Sequence, residues 1–355
     1  MHAPRQPGNA PTLSALVAGG AGFLGSNLCE RLLSSGYRVL CLDNLQTGNL
    51  QNIACFDEDR RFGFVAHDIC EPLPADIHAD IVFNLACAAS PPKYQADPVH
   101  TMMTSVLGTR NLLDKAVACG ARFVQASTSE VYGDPKEHPQ VETYHGNVNP
   151  CGPRACYDEG KRAAEALCFD YMRTRDADVR VARIFNTYGP RMSPDDGRIV
   201  SNFVCQALQD QPLTIYGDGR QTRSLCFVDD LMQGLTALGD LDEAPDAPIN
   251  LGNPDEFTVL ELAEFILAAT NSKSTLVYRP LPTDDPTRRR PDITRAQQIL
   301  NWKPATPIVE GLSPTIAWFA DRLTSGGAPV RGTQREVFRP RQSARSCSFD
   351  RRSIA

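Results

Sequence analysis

Lysine is scarce in this chain. Six lysines stand among 36 basic residues and 355 residues in all, so a lysine in a recognisable pattern carries information. Histidine is also scarce: all six lie at or before His145, without a helical pair. The twelve cysteines are scattered from Cys29 to Cys347, and none forms a Cys-x-x-Cys pair. These absences argue against a metal centre of the usual ligand spacings. No apolar run reaches the roughly 18–20 residues that a membrane-spanning helix needs. Residues 1–12 are polar and proline-rich and lack the apolar stretch of a secretory signal. Several cysteines (Cys41, Cys87, Cys168) sit in apolar runs, where cysteine acts as a small hydrophobe. Reduced thiols in the cytoplasm are therefore expected. The net charge of −6 gives no electrostatic footprint for nucleic acid, and neither a nucleic-acid nor a membrane partner is expected.

What is present is an alternation of strand-like and helical segments. Leu13–Ala18 is a short apolar run leading into glycines. Leu24–Ser35 has helical periodicity and stops at Gly36, and Tyr37–Leu42 is a second buried-type strand ending at Asp43. Further strand-like runs are Phe62–Ala66, Asp80–Leu85, Ala121–Ala126 and Val179–Ile184, and helical patterns cover Val99–Cys119 and Pro153–Arg175. The alternation predicts an α/β fold, a Rossmann-type doubly wound parallel sheet. After Ile184 the elements shorten, which predicts a smaller C-terminal substrate-binding lobe. Its helices are expected at Ile199–Gln209, Asp229–Leu238, Val259–Ala269, Thr294–Leu300 and Val309–Leu323. Leu213–Tyr216 reads as a strand, and Ile249–Leu251 as one that returns to the main sheet. The expected division is 13–185 for the dinucleotide-binding domain, with return elements near 226–251, and 186–323 for the lobe. Disordered tails are expected at 1–12 and 325–355, the latter basic and poor in apolar residues.

Gly19, Gly22 and Gly25 are spaced Gly-x-x-Gly-x-x-Gly between a strand and a helix. The first permits a sharp turn, the second close approach of a pyrophosphate, and the third tight helix–strand packing. Amides at the helix start then face the phosphates. Asp43, 18 residues after Gly25, ends the next strand, where a carboxylate accepts ribose hydroxyls and repels a 2′-phosphate. The cofactor expected is NAD rather than NADP. Asp68 follows the third strand at a position suited to an adenine amino contact, and Leu85 and Ala86 end the fourth strand, beside the dinucleotide crevice.

Tyr157 and Lys161, in Tyr-Asp-Glu-Gly-Lys, share one helix face. An ammonium beside a phenol favours the phenolate and is expected to bring its pKa toward neutrality, making Tyr157 an acid/base for a hydroxyl that becomes a ketone. Strand Ala121–Ala126 runs into Ser127-Thr128-Ser129-Glu130-Val131-Tyr132-Gly133, and polar residues at that strand end face the ligand crevice.

With these motifs the chain resembles the extended short-chain dehydrogenase/reductases that modify nucleotide sugars. Longer segments make the resemblance narrower: 127–135, Gly-Pro-Arg-Ala-Cys-Tyr-Asp-Glu-Gly-Lys-Arg at 152–162, Ala-Arg-Ile-Phe-Asn-Thr-Tyr-Gly-Pro-Arg-Met at 182–192, Asp-Gly-Arg-Ile-Val-Ser-Asn-Phe at 196–203, Gln-Thr-Arg at 221–223, Asn-Leu-Gly-Asn-Pro at 250–254 and Arg-Arg-Pro-Asp-Ile at 289–293. Across residues 13–322 the chain is similar to the UDP-glucuronate decarboxylase (UDP-xylose synthase) family. The resemblance implies a cycle without net redox: C4 of the glucuronate is oxidised, the β-keto acid loses CO2, and C4 is reduced again with NAD recycled.

It also implies roles. Tyr157 is the acid/base; Lys161 tunes it and holds the nicotinamide ribose; Thr128 hydrogen-bonds the C4 oxygen. Ser129, Glu130 and Arg289 lie near the substrate carboxylate. Because like charges oppose joint ionisation, Glu130 is expected to deliver a proton to C5 or to destabilise the bound carboxylate. Phe23, Leu24, Asn44, Ile69 and Thr104 join the cofactor set. Tyr94, in Ser90-Pro91-Pro92-Lys93-Tyr94, belongs to the substrate loop. Asn186, Arg198 and Arg223 are expected to bind the UDP end, with Gln221 beside them and Tyr216 stacking on uracil. The chain departs from the family at Cys87-Ala88, Ser105 and Ser224-Leu225, which bears on cofactor affinity. A 4-epimerase, a 4,6-dehydratase and a non-catalytic dinucleotide sensor remain alternatives. Helices 99–119 and 153–175 resemble a four-helix homodimer interface.

Overall fold

The computed structural model describes residues 12–281 and 288–324. The tails expected at 1–12 and 325–355 lie outside the described residues, apart from residue 12. Seven parallel strands form the main sheet. The first six are β1 (Ser14–Ala18), β2 (Arg38–Asp43), β3 (Phe62–Ala66), β4 (Ile81–Asn84), β5 (Arg122–Thr128) and β6 (Val179–Ile184). Their spatial order is β6-β5-β4-β1-β2-β3, and Ile249–Leu251 pairs beyond β6 in parallel register, Asn250 opposite Arg183. The order reverses between β1 and β4, so the carboxyl ends of those strands open a crevice. The expected Rossmann-type sheet and the returning strand are both present.

Apolar layers cover both faces of the sheet. One cluster joins Val17, Leu28, Cys41, Phe83 and Val124 to residues of the C-terminal half such as Leu231, Leu251 and Phe319. The other joins Leu16, Leu42, Val82, Leu112, Phe123 and Cys168. Helix α1 (Phe23–Ser34) begins at Gly22. Helix α2 (Pro91–Ala96), which the sequence pattern missed, opens with two prolines, whose fixed φ suits a first turn.

The expected helix 99–119 is in three pieces: α3 (Pro98–Met103), a π-helical stretch Thr104–Gly108, and α4 (Thr109–Cys119), which stops at left-handed Gly120. Helix α5 (Ala155–Arg175) packs against this wide turn. A Cβ on Gly160 of α5 would fall 3.1 Å from Cβ of Ser105 in that stretch. Helix α5 buries Tyr157, Lys161, Ala164, Cys168 and Tyr171 at helical spacing, so Tyr157 and Lys161 face inward with its apolar residues.

The later helices lie near their expected places, at Ile199–Leu208, Val228–Asp240, Val259–Thr270, Thr294–Leu300 and Ile308–Thr324. Short strands Leu213–Tyr216 and Leu276–Arg279 pair in parallel beside them; the second was not legible as a strand. Among the described residues no helix is long and apolar enough to cross a membrane.

Below the crevice a buried polar network ties β5, β6 and α5. Arg183 makes a bidentate pair with Glu165 (3.0 and 2.8 Å), and Glu165 accepts from Ser127 at 2.5 Å. Breaking a buried pair from one side strands the other charge, which costs roughly 3–5 kcal/mol. Arg183→Met is expected to lower stability by about that amount. A denaturant midpoint shifted no further than that of an exposed Arg→Met control would contradict it.

Candidate active site

The glycine turn is built on close main-chain packing. Gly19 has φ of +78°, and a Cβ there would lie 2.8 Å from the backbone of Leu85 and Ala86. A Cβ on Gly25 would stand 2.0 Å from the Gly19 carbonyl oxygen. The amides of Phe23, Leu24 and Gly25 begin α1 without intrahelical acceptors. Asp43, buried at the end of β2, accepts from the Ala21 amide (3.0 Å) and the Leu45 amide (2.8 Å). Burial raises its pKa against those hydrogen bonds. The turn and this carboxylate fit the pyrophosphate and ribose of a dinucleotide.

At the expected adenine end, Asp68 Oδ2 takes hydrogen bonds from Asn44 (2.9 Å) and His100 (2.8 Å), and Oδ1 from the Cys70 amide (2.8 Å). Burial opposes its ionisation, but these three partners hold the carboxyl at about 2. Asp68, Cys70 and His100 bring ligand-type atoms within 4.8 Å of one another, the one such grouping among the described residues. Thr104 donates to the His100 carbonyl. The Ile69 side chain packs into the core against Gly108.

A cavity of about 930 Å³ opens over the carboxyl ends of β4 and β5. It brings together Leu24, Leu85, Tyr94, Thr128, Ser129, Glu130, Tyr157, Lys161, Asn186, Arg198, Tyr216, Gln221, Arg223 and Arg289. Of the expected set, Gly19, Gly22, Phe23, Gly25, Asp43, Asn44, Asp68, Ile69, Ala86 and Thr104 do not line it. They lie on the glycine turn, at the adenine end or behind the crevice. Cys87 does line it, with Sγ 3.5 Å from Oγ of Ser105. The departures at 87 and 105 thus touch each other beside α5.

Tyr157 and Lys161 share the inner face of α5, with the Lys161 nitrogen 5.9 Å from the phenol ring centre and hydrogen-bonded to the Ala126 carbonyl. The expected drop of the phenol pKa is not found. Burial is the largest effect and pushes the phenol up, and the neighbouring Cys87 and Glu130 add to it; the Thr128 hydrogen bond and Arg198 pull the other way. The same burial lowers the pKa of Lys161. Tyr94 stacks flat on the Tyr157 ring, centres 5.2 Å apart, and its buried hydroxyl has no hydrogen-bond partner.

Glu130 sits between two guanidinium groups. Its Oε2 is 2.5 Å from Arg154 and its Oε1 is 2.6 Å from Arg289. Arg289 also donates to Ser129 Oγ (3.2 Å) and to the Gly133 carbonyl (3.0 Å). Burial disfavours the Glu130 charge, but Arg289 and Arg154 outweigh it and hold the carboxyl below its ordinary range. Proton delivery by Glu130 needs a neutral carboxyl. The resting group is an ionised acceptor, because two arginines relieve the like-charge conflict that the expectation rested on. Arg154 and Asp158 were missed as site residues, although both stand inside the Gly-Pro-Arg-Ala-Cys-Tyr-Asp-Glu-Gly-Lys-Arg segment. Toward the other end of the cavity, Arg198 is paired with Asp196 (2.5 and 2.9 Å), and Gln221 donates to the Tyr216 carbonyl (2.5 Å).

A dinucleotide-binding turn and a Tyr-x-x-x-Lys pair under a polar strand end define a nicotinamide-dependent enzyme of the short-chain type. The chain belongs to the NAD dependent epimerase/dehydratase family, whose model matches residues 15–252. Within it, similarity runs to UDP-glucuronic acid decarboxylases. UDP-glucuronic acid decarboxylase 1 of Arabidopsis thaliana is 50% identical over 311 residues, 88% of this chain and 71% of the relative. UDP-glucuronic acid decarboxylase 1 of Danio rerio is 49% identical over 87% of this chain and 73% of its own length. Among solved structures, the UDP-glucuronic acid 4-epimerase of Bacillus cereus, in complex with UDP-glucuronic acid and NAD, superposes with a TM-score of 0.77. It is 28% identical and covers 88% of this chain and 100% of its own.

Because the folded Glu130 pKa is depressed, the stability it contributes is present above about 4.3, the unfolded value, and is lost as pH falls through the folded value. Glu130→Gln is therefore expected to destabilise the protein at pH 7, and the deficit should shrink below about pH 4.3. Urea midpoints of both proteins at pH 7 and pH 3.5 measure this; a deficit independent of pH would refute the charge assignment.

Proposed function

We propose that the protein converts UDP-glucuronate to UDP-xylose and CO2, recycling NAD within the site. One observation carries the reading: an acid/base tyrosine and a pair of arginines line the same cavity. The family membership and the relatives at about 50% identity support it. When bound, NAD supplies the hydride acceptor and donor for sugar C4.

The chain's own residues supply the rest. The Gly19–Gly25 turn and the Phe23 and Leu24 amides would hold the pyrophosphate, and Asp43 the adenosine ribose. Asn44, Asp68 and the Ile69 main chain form the adenine end, and Leu85, Ala86 and Thr104 border the crevice. The Tyr157 phenol first gives up its own proton to solvent; as a phenolate beside Lys161 it then takes the C4 hydroxyl proton as C4 becomes a ketone, and returns it when C4 is reduced. Lys161 provides the positive charge that makes this transfer affordable in a buried site. Thr128 orients the C4 oxygen by a hydrogen bond.

Once C4 is a ketone, the carboxylate lies β to it. The C5–C6 bond breaks, CO2 leaves, and the electron pair moves toward the C4 oxygen, where the Thr128 and Tyr157 hydroxyls stabilise the enolate. A proton then adds at C5. Ser129, Arg154 and Arg289 would receive the carboxylate, with Glu130 fixing both guanidinium groups. Asn186, Arg198 and Arg223 are assigned to the diphosphate end, Tyr216 and Gln221 to uracil, and Tyr94 to the sugar. Residues 186–323 thus form most of the substrate-binding lobe. The eleven free cysteines among the described residues support a reducing, cytoplasmic setting.

We further infer a homodimer through α3, α4 and α5. Val99 is 72% exposed, and Met103 and Val117 are also exposed on these helices. Light scattering at micromolar concentration is expected to give a dimer, and Val99→Asp with Met103→Asp to weaken it; a monomeric parent protein would overturn the assignment.

Incubation with UDP-glucuronate, without added NAD, is expected to yield CO2 and a UDP-pentose by mass spectrometry. Tyr157→Phe should lower that rate by roughly 10²–10⁴-fold. A product that keeps the carboxyl group would replace decarboxylation with 4-epimerisation, the reaction named for the Bacillus cereus neighbour.

A further inference from the structure

Asp158 follows the acid/base tyrosine and has no part in the scheme above. It is 6% exposed, and its Oδ1 is buried without a hydrogen-bond partner. Such atoms are rare in folded proteins and call for an explanation. Its Oδ2 lies 3.7 Å from Nε of Arg154, one helical turn back. The Nη2 atom of the same guanidinium is on Glu130. Arg154 is therefore held between two carboxyls. Glu130 lines the cavity and Asp158 stands behind it.

The charged groups that act on Asp158 are Arg154 and Glu159 from its own segment, Glu130 from the turn after β5, and Arg289 from the C-terminal segment. Tyr94 of α2 and Cys156 also face it. With a protonated Asp158, two guanidinium groups and one carboxylate leave a single positive charge. An ionised Asp158 cancels that charge.

We propose that Asp158 is a positioning residue that sets, through Arg154, the charge offered to the sugar carboxylate, so that the acidic sugar binds tightly while Asp158 holds a proton and weakly once it is lost. The inference rests on the reading that UDP-glucuronate is the substrate and that its carboxylate meets Arg154 and Arg289. The range is physiological. Burial first, then Glu130, pushes the Asp158 carboxyl up to about 7 against the pull of Arg154 and Arg289. Below that pH the group is neutral and the cluster is positive; above it the attraction for an anion falls. By reciprocity, binding of the acidic sugar raises the Asp158 pKa, so binding near neutral pH takes up a proton.

The test compares two ligands that share the UDP group and differ in the carboxylate. UDP-glucuronate and UDP-xylose are titrated calorimetrically between pH 6 and pH 8.5 into protein loaded with NADH, which cannot oxidise C4 and so leaves the acidic sugar intact. For the parent protein, the UDP-glucuronate Kd is expected to rise about tenfold over this range, which corresponds to one pKa unit of coupling, while UDP-xylose stays level. Asp158→Asn should remove the slope and keep the tight, low-pH affinity, and Asp158→Ser is the second variant. Either variant keeping the parent slope would overturn the proposal. So would equal slopes for the two sugars, or loss of UDP-xylose binding in both variants. The two readings fail differently. Absence of CO2 release and of any preference for UDP-glucuronate sinks the substrate assignment. CO2 release with coincident pH slopes sinks only the role of Asp158.

Discussion

One partly buried carboxylate organises the polar end of the cavity. Glu130 leaves the turn after β5 and binds Arg154, just ahead of α5, and Arg289, far along the chain. A charge removed from water is tolerated only when it is paired and hydrogen-bonded. The ion cluster ties the strand end, the start of α5 and the C-terminal segment together. Buried ion pairs give little net stability compared with apolar packing. What this one provides is a preorganised field with one positive charge in excess at a cavity that Tyr157 also lines.

That phenol shows how burial and charge compete. The ammonium of Lys161 is on the right helix face, yet the dry surroundings that sharpen its effect also disfavour every ionised state nearby. In the resting site Tyr157 is better understood as a phenol that keeps its proton than as a phenolate awaiting substrate. Tyr94 stacked on the ring and Thr128 at the hydroxyl restrict its orientation, and orientation is much of what an active site contributes.

The close contact of α5 with the π-helical turn has the same character. Gly160 brings α5 against Ser105, and Ser105 touches Cys87 on the cavity wall. Two of the positions at which the chain departs from the family pattern, 87 and 105, are therefore neighbours in space.

Local patterns in the chain were enough for the parallel sheet, the glycine turn, Asp43 at a strand end and the pairing of Tyr157 with Lys161. Each of these depends on residues within a turn or two of one another, where steric and periodic rules act directly. The returning strand Ile249–Leu251 was legible because it is a short apolar run, although its neighbour is not local. The partnership of Glu130 with Arg154 and Arg289, the charge of Asp158, the three-piece helix before Cys119 and the direction of the Tyr157 pKa belong to the folded state alone. They are set by burial and by contacts between distant segments, and a protonation state follows the dielectric and the charges that the tertiary structure assembles around a group.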